Sequence, residues 1–83
     1  MTKNELKEKI TELAVETYPD EDVKWSEYDE KMFEYYYAIL GKNVKVVPEH
    51  FSIAFDKSGY TTEVNLGDWV VTKITNTKTG EQL

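Results

Sequence analysis

The chain has no cysteine and no arginine, and each absence excludes a class of function. Without cysteine there is no disulfide framework, no thiolate nucleophile and no cysteine-based zinc site. Arginine is the residue best suited to bidentate contacts with phosphates and base edges. Its absence, together with a formal net charge of −6, argues against nucleic-acid binding. We therefore expect no direct contact with nucleic acid.

Long apolar runs are also missing. No stretch approaches the ~20 apolar residues that cross a bilayer, and the first residues lack the apolar run of a signal peptide. We therefore expect a cytoplasmic protein that makes no contact with a membrane. With 83 residues, of which 40% are hydrophobic, the chain is long and apolar enough for one small domain with a core.

Motifs for catalysis and metal binding are nearly absent. The one histidine, His50, has no pattern around it that would supply a nucleophile and an orienting group. Asp20 and Asp22 have the spacing of a calcium loop, but Lys24 occupies the next ligand position and no glycine makes the turn, which excludes an EF-hand. The four glycines are isolated and form no phosphate-binding loop. We expect a protein that is not an enzyme and holds no cofactor or metal.

The charge is concentrated in one half of the chain. Residues 1–41 carry eleven acidic residues and five lysines, whereas residues 42–83 carry five of each. The spacing of apolar residues changes at the same place, from the periodicity of helices to the alternation of apolar and polar residues that is typical of strands. We expect a single domain, 1–83, with an acidic, mainly helical half (1–41) and a neutral β-meander half (42–83).

The first helix is predicted over residues 3–17. Thr2 and Glu5 have the spacing of a capping box, and Pro19 ends the helix because the residue before a proline avoids the α region. Apolar residues recur at helical spacing and form one stripe. They are Leu6, Ile10, Leu13 and Ala14, with Thr17 or Tyr18 at the end of the stripe.

The run "EYYYAIL", Glu34 to Leu40, allows two interpretations. Ser26 is a plausible N-cap, followed by Asp29, and Gly41 and Asn43 supply a stop signal, so a second helix is favoured. A strand is the alternative, because tyrosine is common in strands. It would place Tyr35, Tyr37 and Ile39 on one face.

The helical interpretation also predicts which side chains are buried. On a helical wheel Tyr35, Tyr36, Ile39 and Leu40 fall on the apolar arc with Trp25 and Tyr28, and only in part with Phe33. They should therefore pack inward, while Tyr37 should lie at the edge of the acidic face. The wheel thus divides three adjacent tyrosines between core and surface.

The second half predicts a meander of short strands. Residues 44–47 form a strand that Pro48 stops, and residues 51–55 and 60–64 form a hairpin in which Gly59 can adopt a positive φ. A third β-rich run begins at Trp69, and the last residues predict a tight turn and a very short strand. The fold class is therefore α+β, with one or two N-terminal helices packed on a small antiparallel β-sheet of three to five strands.

Because catalytic and metal-binding motifs are nearly absent, the remaining candidate for function is a protein-binding surface. Acidic and aromatic residues alternate around the start of the second helix, and such aromatics often anchor protein interfaces. The candidate partner-binding residues are Asp20, Glu21, Asp22, Trp25, Glu27, Tyr28, Asp29, Glu30, Glu34 and Tyr37. An acidic field steers association with a basic partner, so we expect docking on a positively charged protein surface.

Two alternatives to this interface stay open. The acids could form a solvated face that only keeps the chain soluble, or the protein could be a structural subunit that forms a homo-oligomer with no inhibitory role. The sequence leaves monomer and homo-oligomer undecided. A small, acidic, tyrosine-rich domain without cysteine is typical of the inhibitors and nucleic-acid mimics that bacteriophages and mobile elements encode. We therefore expect a basic host protein as the partner.

Overall fold

A computed structural model describes residues 2–40 and 43–83, except for the side chain of Leu40. The elements, in chain order, are α1 (Lys3–Thr17), α2 (Glu27–Leu40), β1 (Val44–Val47), a 3₁₀ turn (Pro48–His50), β2 (Ser52–Lys57), β3 (Tyr60–Asn65) and β4 (Val71–Asn76). The strands form one antiparallel sheet in the order β1-β2-β3-β4. The predicted α+β class, with N-terminal helices on a small antiparallel sheet, is confirmed. Within the described ranges, no helix has the length and apolar character needed to cross a membrane.

Both helices begin at reciprocal side-chain caps. The Glu5 backbone N–H donates to Thr2 Oγ1 over 3.1 Å, and the Thr2 N–H donates back to the Glu5 carboxylate. At α2 the Asp29 N–H donates to Ser26 Oγ over 3.0 Å, and the Ser26 N–H donates to Asp29 Oδ2 over 2.9 Å. These caps satisfy backbone donors that a helix leaves unpaired. The run "EYYYAIL" is therefore helical, and the strand alternative is wrong; the stop signal predicted at Gly41 lies outside the described residues.

The turns of the meander follow the predicted chemistry with one correction. Ser58 and Gly59 link β2 to β3 with φ of 54° and 82°, the positive values that a tight hairpin needs. The last strand begins at Val71, later than predicted, because Trp69 itself has a φ of 61° and donates its N–H to the Asn65 carbonyl. An isolated bridge pairs Gln82 with β4, which confirms the very short C-terminal strand.

The helices pack on one face of the sheet, with α1 against β1 and α2 against β2. The buried core joins both layers and consists of Leu6, Ile10, Leu13, Phe33, Tyr36, Ile53, Phe55, Val64, Leu66 and Trp69. Paired residues of neighbouring strands lie on the same face, so Val71 shares the helix-facing side with its partner Val64. Val64 is fully buried, yet Val71 is 38% exposed. The helices thus cover β4 less completely than β3.

The rotation of α2 differs from the wheel. Tyr36 is buried as predicted, but the prediction that Tyr35 and Ile39 pack inward is wrong, since they are 56% and 41% exposed. Phe33 takes their place in the core. Tyr37, predicted at the edge of the acidic face, is half-buried and packs against Phe33, with ring centroids 5.9 Å apart. The inward prediction for Leu40 lies outside the described side chains.

Polar contacts with other parts of the chain accompany this rotation. It brings Glu30 and Glu34 against Lys7 and Lys3 of α1, where they form ion pairs between the helices. It also lets the Tyr36 hydroxyl donate to the backbone carbonyl that precedes β4. A helical wheel carries no information about such partners, because they come from elsewhere in the chain.

Candidate functional site

A cleft of about 290 Å³ opens between the C-terminal half of α1, the loop that follows it and the turn between β3 and β4. We call it the acidic–aromatic cleft. Four of the predicted partner-binding residues contribute to its lining: Glu21, Asp22, Trp25 and Asp29. The loop also adds Val23 and Lys24, further walls come from Tyr18, Phe51, Leu66, Gly67 and Trp69, and the side of α1 supplies Ile10, Thr11 and Ala14.

The loop that carries the acids is anchored to α1. Its first turn closes where the Glu21 N–H donates to the Tyr18 carbonyl over 3.1 Å. Its far end is fixed by Trp25, whose indole N–H donates to Thr11 Oγ1 over 2.7 Å. The Lys7 ammonium lies 4.8 Å from the centroid of the Trp25 ring, a cation–π contact. The carboxylates of the loop are therefore held at the rim of the cleft by contacts at both ends.

The opposite wall is anchored to α2. The indole N–H of Trp69 donates to Asp29 Oδ1 over 2.8 Å, and the Tyr36 hydroxyl donates to the Trp69 carbonyl over 2.7 Å. Trp69 is only 3% exposed and forms the floor of the cleft. Trp25 is half-buried and lies at the rim of the cleft. Two tryptophans far apart in sequence thus lie with ring centroids 6.2 Å apart.

Asp29 is the most constrained carboxylate of the cleft. Burial acts most strongly on its pKa and raises it, but hydrogen bonds from the Ser26 backbone, the Trp69 indole and the Ser26 hydroxyl together outweigh burial. The net effect lowers the pKa of Asp29 below its ordinary value. Asp29 is therefore ionised at neutral pH and contributes a fixed negative charge beside the Trp69 indole.

The cleft mainly offers groups that accept hydrogen bonds or attract cations. Both indole N–H groups are already donated within the protein, to Thr11 and Asp29. What the cleft presents is aromatic ring surface, three carboxylates and one exposed ammonium, that of Lys24, which pairs with Asp22. Ring faces and carboxylates both attract cations, the rings through their quadrupole and the carboxylates through their charge. The cleft therefore suits a basic side chain better than an acidic or neutral polar one.

The described contacts of His50 are with Ser52 and Glu63. Ser52 Oγ donates to the backbone carbonyl of His50 and not to its ring. The His50 ring lies 3.2 Å from a carboxylate oxygen of Glu63, and its side chain is exposed. Across residues 2–40 and 43–83, no three histidine or acidic side chains come together in a way that could hold a metal ion.

The other predicted site residues lie outside the cleft. Asp20 and Glu27 are exposed. Glu30 and Glu34 pair with lysines of α1 and so join the helices. Tyr37 packs on Phe33, 5.9 Å from the Lys3 ammonium. None of these five residues lines the cleft.

Tyr28 belongs to a separate surface. It is 57% exposed on a face of α2 that carries further apolar side chains. The predicted set of residues is thus divided among a cleft, a helix-to-helix contact and this exposed face.

Three aromatic residues of the cleft were not among the predicted site residues: Tyr18, Phe51 and Trp69. The sequence places Tyr18 at the end of the apolar stripe of α1. It predicts core or sheet positions for Phe51 and Trp69. No local signal identifies them, because the turn between β3 and β4 brings Trp69 to α2 only in the folded chain. Comparison with protein-family models, curated proteins and solved structures finds no match. The function must therefore be argued from the geometry.

Proposed function

We propose that this protein is a non-enzymatic binding domain that docks on a positively charged protein surface through the acidic–aromatic cleft. The observation that carries the proposal is the position of Glu21, Asp22 and Asp29 in the lining of a cavity that also contains Trp25 and Trp69. A lysine or arginine of the partner would place its charge among the carboxylates and its aliphatic stem against the rings.

The rim carboxylates are available to such a partner. Glu21 and Asp22 are both exposed. Asp22 pairs with Lys24 over 3.3 Å, but both side chains are about 80% exposed, and such ion pairs contribute little to stability. A partner's cation can therefore replace Lys24 at small cost. Asp29, by contrast, is held by its hydrogen bonds and would act as a fixed charge.

The kind of partner that we propose is a basic protein that handles nucleic acid, with this chain as an inhibitor or nucleic-acid mimic of phage or mobile-element origin. Exposed carboxylates along the outer face of α1 support this idea, since they extend the negative field beyond the cleft. They are Glu5, Glu8, Glu12 and Glu16. A surface that binds the phosphate backbone would meet a row of negative charges here.

Affinity capture with a matched pair of variants tests the proposal. The immobilised wild type, a cleft variant (Glu21→Gln, Asp22→Asn) and a control variant (Glu49→Gln, Glu81→Gln) are each exposed to bacterial lysate. Retained proteins are identified by mass spectrometry at about 50 mM and about 500 mM salt, which differ about threefold in screening length. Both variants remove two exposed carboxylates, so their net charge is the same.

The expected result is a basic protein that the wild type and the control retain at low salt, that the cleft variant does not retain, and that high salt releases. Retention that ignores both salt and the cleft carboxylates would contradict the proposal. Equal loss in both variants would also contradict it, because net charge and not the cleft would then govern binding.

A further inference from the structure

Two aromatic residues of the acidic–aromatic cleft have a backbone conformation that is rare for bulky side chains. Phe51 and Trp69 have φ of 50° and 61°, and both line the cleft. Such left-handed conformations cost free energy in residues with a Cβ, and they are concentrated at ligand-binding and active sites. The Phe51 N–H donates to the Pro48 carbonyl over 3.2 Å, and the Phe51 carbonyl accepts from the Leu66 N–H over 2.9 Å. The fold thus holds two strained aromatic residues in the wall of one cavity.

The ring surface that a ligand can reach comes mainly from Tyr18 and Phe51. Trp69 is almost fully buried, and Trp25 already has the Lys7 ammonium over its ring. Tyr18, by contrast, is 43% exposed. The half-buried Phe51 meets it at nearly a right angle, with ring centroids 5.4 Å apart. This contact supports the Tyr18 ring, which stays open to solvent at the cleft.

One turn joins this ring to the carboxylates of the rim. The Glu21 N–H donates to the Tyr18 carbonyl over 3.1 Å and closes a four-residue turn, whose end Cα atoms lie within about 7 Å of each other. Asp22 follows directly, and all three residues line the cleft. A ligand in the cleft therefore meets an open aromatic ring and two exposed carboxylates from neighbouring positions of the chain.

The chain's own lysine at this site shows how an ammonium behaves there. Lys24 lines the cleft and lies 3.3 Å from Asp22, yet its side chain is 79% exposed, so its ammonium stays in water. An ammonium is a compact, strongly hydrated charge that gains little from an exposed carboxylate. A guanidinium is more weakly hydrated, and its flat face stacks on aromatic rings while the N–H groups at its edge bond to carboxylates. The ring and the carboxylates of the cleft match both properties.

We propose that the acidic–aromatic cleft binds an arginine side chain of the partner protein in preference to a lysine side chain. This inference rests on the proposed function, since it names the residue of the same basic partner that enters the same cleft. The guanidinium would stack on Tyr18, and its N–H groups would bond to Glu21 and Asp22. The cleft volume of about 290 Å³ is near the lower limit of about 300 Å³ for small-molecule pockets, which fits a single side chain. All ten basic residues of this chain are lysines, so a second copy brings no such ligand.

Three short peptides test this inference. Each is an acetylated and amidated glycine peptide with arginine, lysine or trimethyllysine at its centre, so all three carry one positive charge. Each is titrated into the wild type and followed by NMR through the backbone amide signals of Tyr18, Glu21 and Asp22. The same titrations use a ring variant (Tyr18→Leu), which stays apolar but loses the aromatic face. The control variant (Tyr60→Leu) removes a tyrosine of similar exposure that does not line the cleft.

The arginine peptide should bind the wild type and the control about three- to fivefold more tightly than the lysine peptide, and the ring variant should lose this preference. Equal binding of these two peptides to the wild type, or no binding of the arginine peptide, would overturn the proposal. A preference for arginine that survives in the ring variant would also overturn it, because Tyr18 would then not hold the guanidinium. Tighter binding of the trimethyllysine peptide would overturn it too, because the rings would then form a cage for a quaternary ammonium. The comparison of the three peptides in the wild type does not depend on the stability of the ring variant.

This test and the capture experiment can fail independently. If capture depends on Glu21 and Asp22 while the arginine and lysine peptides bind equally, the proposed function stands and the preference for arginine falls. If the arginine peptide is preferred but no protein is captured through the cleft, the arginine site stands and the proposed function falls.

Discussion

The two helices have similar lengths and caps, but they use their apolar residues differently. In α1 the buried residues Leu6, Ile10 and Leu13 form one stripe, and the remaining face is mostly charged. In α2 the buried residues Phe33 and Tyr36 occupy one side, while another side carries exposed tyrosines. A helix with one apolar stripe has one way to pack. A helix with two apolar sides can bury one of them in the core and leave the other exposed, as α2 does.

Alanine substitutions on both helices test this contrast, and they have the largest expected effects on the free energy of unfolding. Phe33→Ala should cost about 3–5 kcal/mol of unfolding free energy and Leu6→Ala about 2–5 kcal/mol, because each leaves a cavity in the core. Tyr35→Ala and Val15→Ala should each change it by less than about 0.5 kcal/mol. Urea unfolding followed by tryptophan fluorescence measures all four. If Tyr35→Ala cost as much as Phe33→Ala, the rotation assigned to α2 would be wrong.

Tyr36→Phe isolates the polar contact that fixes the rotation of α2. Burial raises the pKa of the Tyr36 phenol, so its hydroxyl stays protonated and donates to the Trp69 carbonyl at neutral pH. The variant keeps the ring and leaves that carbonyl without this donor, so we expect a loss of about 1–2 kcal/mol. The control is Tyr35→Phe, which should be nearly neutral because Tyr35 is exposed. An equally small effect at both positions would mean that the contact does not hold α2 in place.

The difference between the helices also explains what could be predicted from the sequence. The caps at Thr2 and Ser26 and the hairpin at Gly59 are local, so their signals lie within a few neighbouring residues. The acidic loop with Trp25 was likewise visible as part of a candidate surface. The buried side of α2 could not be predicted, because the residues that it contacts, Lys3, Lys7 and Trp69, lie far away in the chain. The aromatic half of the cleft was missed for the same reason.

The pH dependence of stability tests the link between α2 and the cleft through Asp29. Its pKa is lowered in the folded protein, so the carboxylate stabilises the fold above its unfolded pKa of about 3.9, and this contribution is lost as pH falls through the folded value. Asp29→Asn should be less stable by about 1 kcal/mol at neutral pH. Its stability should also fall less than that of the wild type on acidification below about pH 4.

Denaturant unfolding at a series of pH values, from neutral to below the ordinary range of a carboxylate, measures this difference. Glu49→Gln is a suitable control because it removes an exposed carboxylate on the other half of the chain. Parallel curves for the wild type and Asp29→Asn would contradict the role assigned to Asp29. They would mean that the bonds from Ser26 and Trp69 do not depend on its charge.

The smallest expected effect concerns the ion pair between the helices. Lys7 and Glu30 join α1 to α2, but both side chains are partly exposed, so a double-mutant cycle should give a coupling of about 0.5 kcal/mol. Lys7→Met keeps the aliphatic stem beside Trp25 while it removes the charge, and Glu30→Gln keeps the shape of the acid. The coupling should shrink further at about 1 M salt, where screening is nearly complete. A larger coupling that persisted in high salt would mean that charge, and not only the burial of Phe33 and Tyr36, decides which side of α2 faces the core.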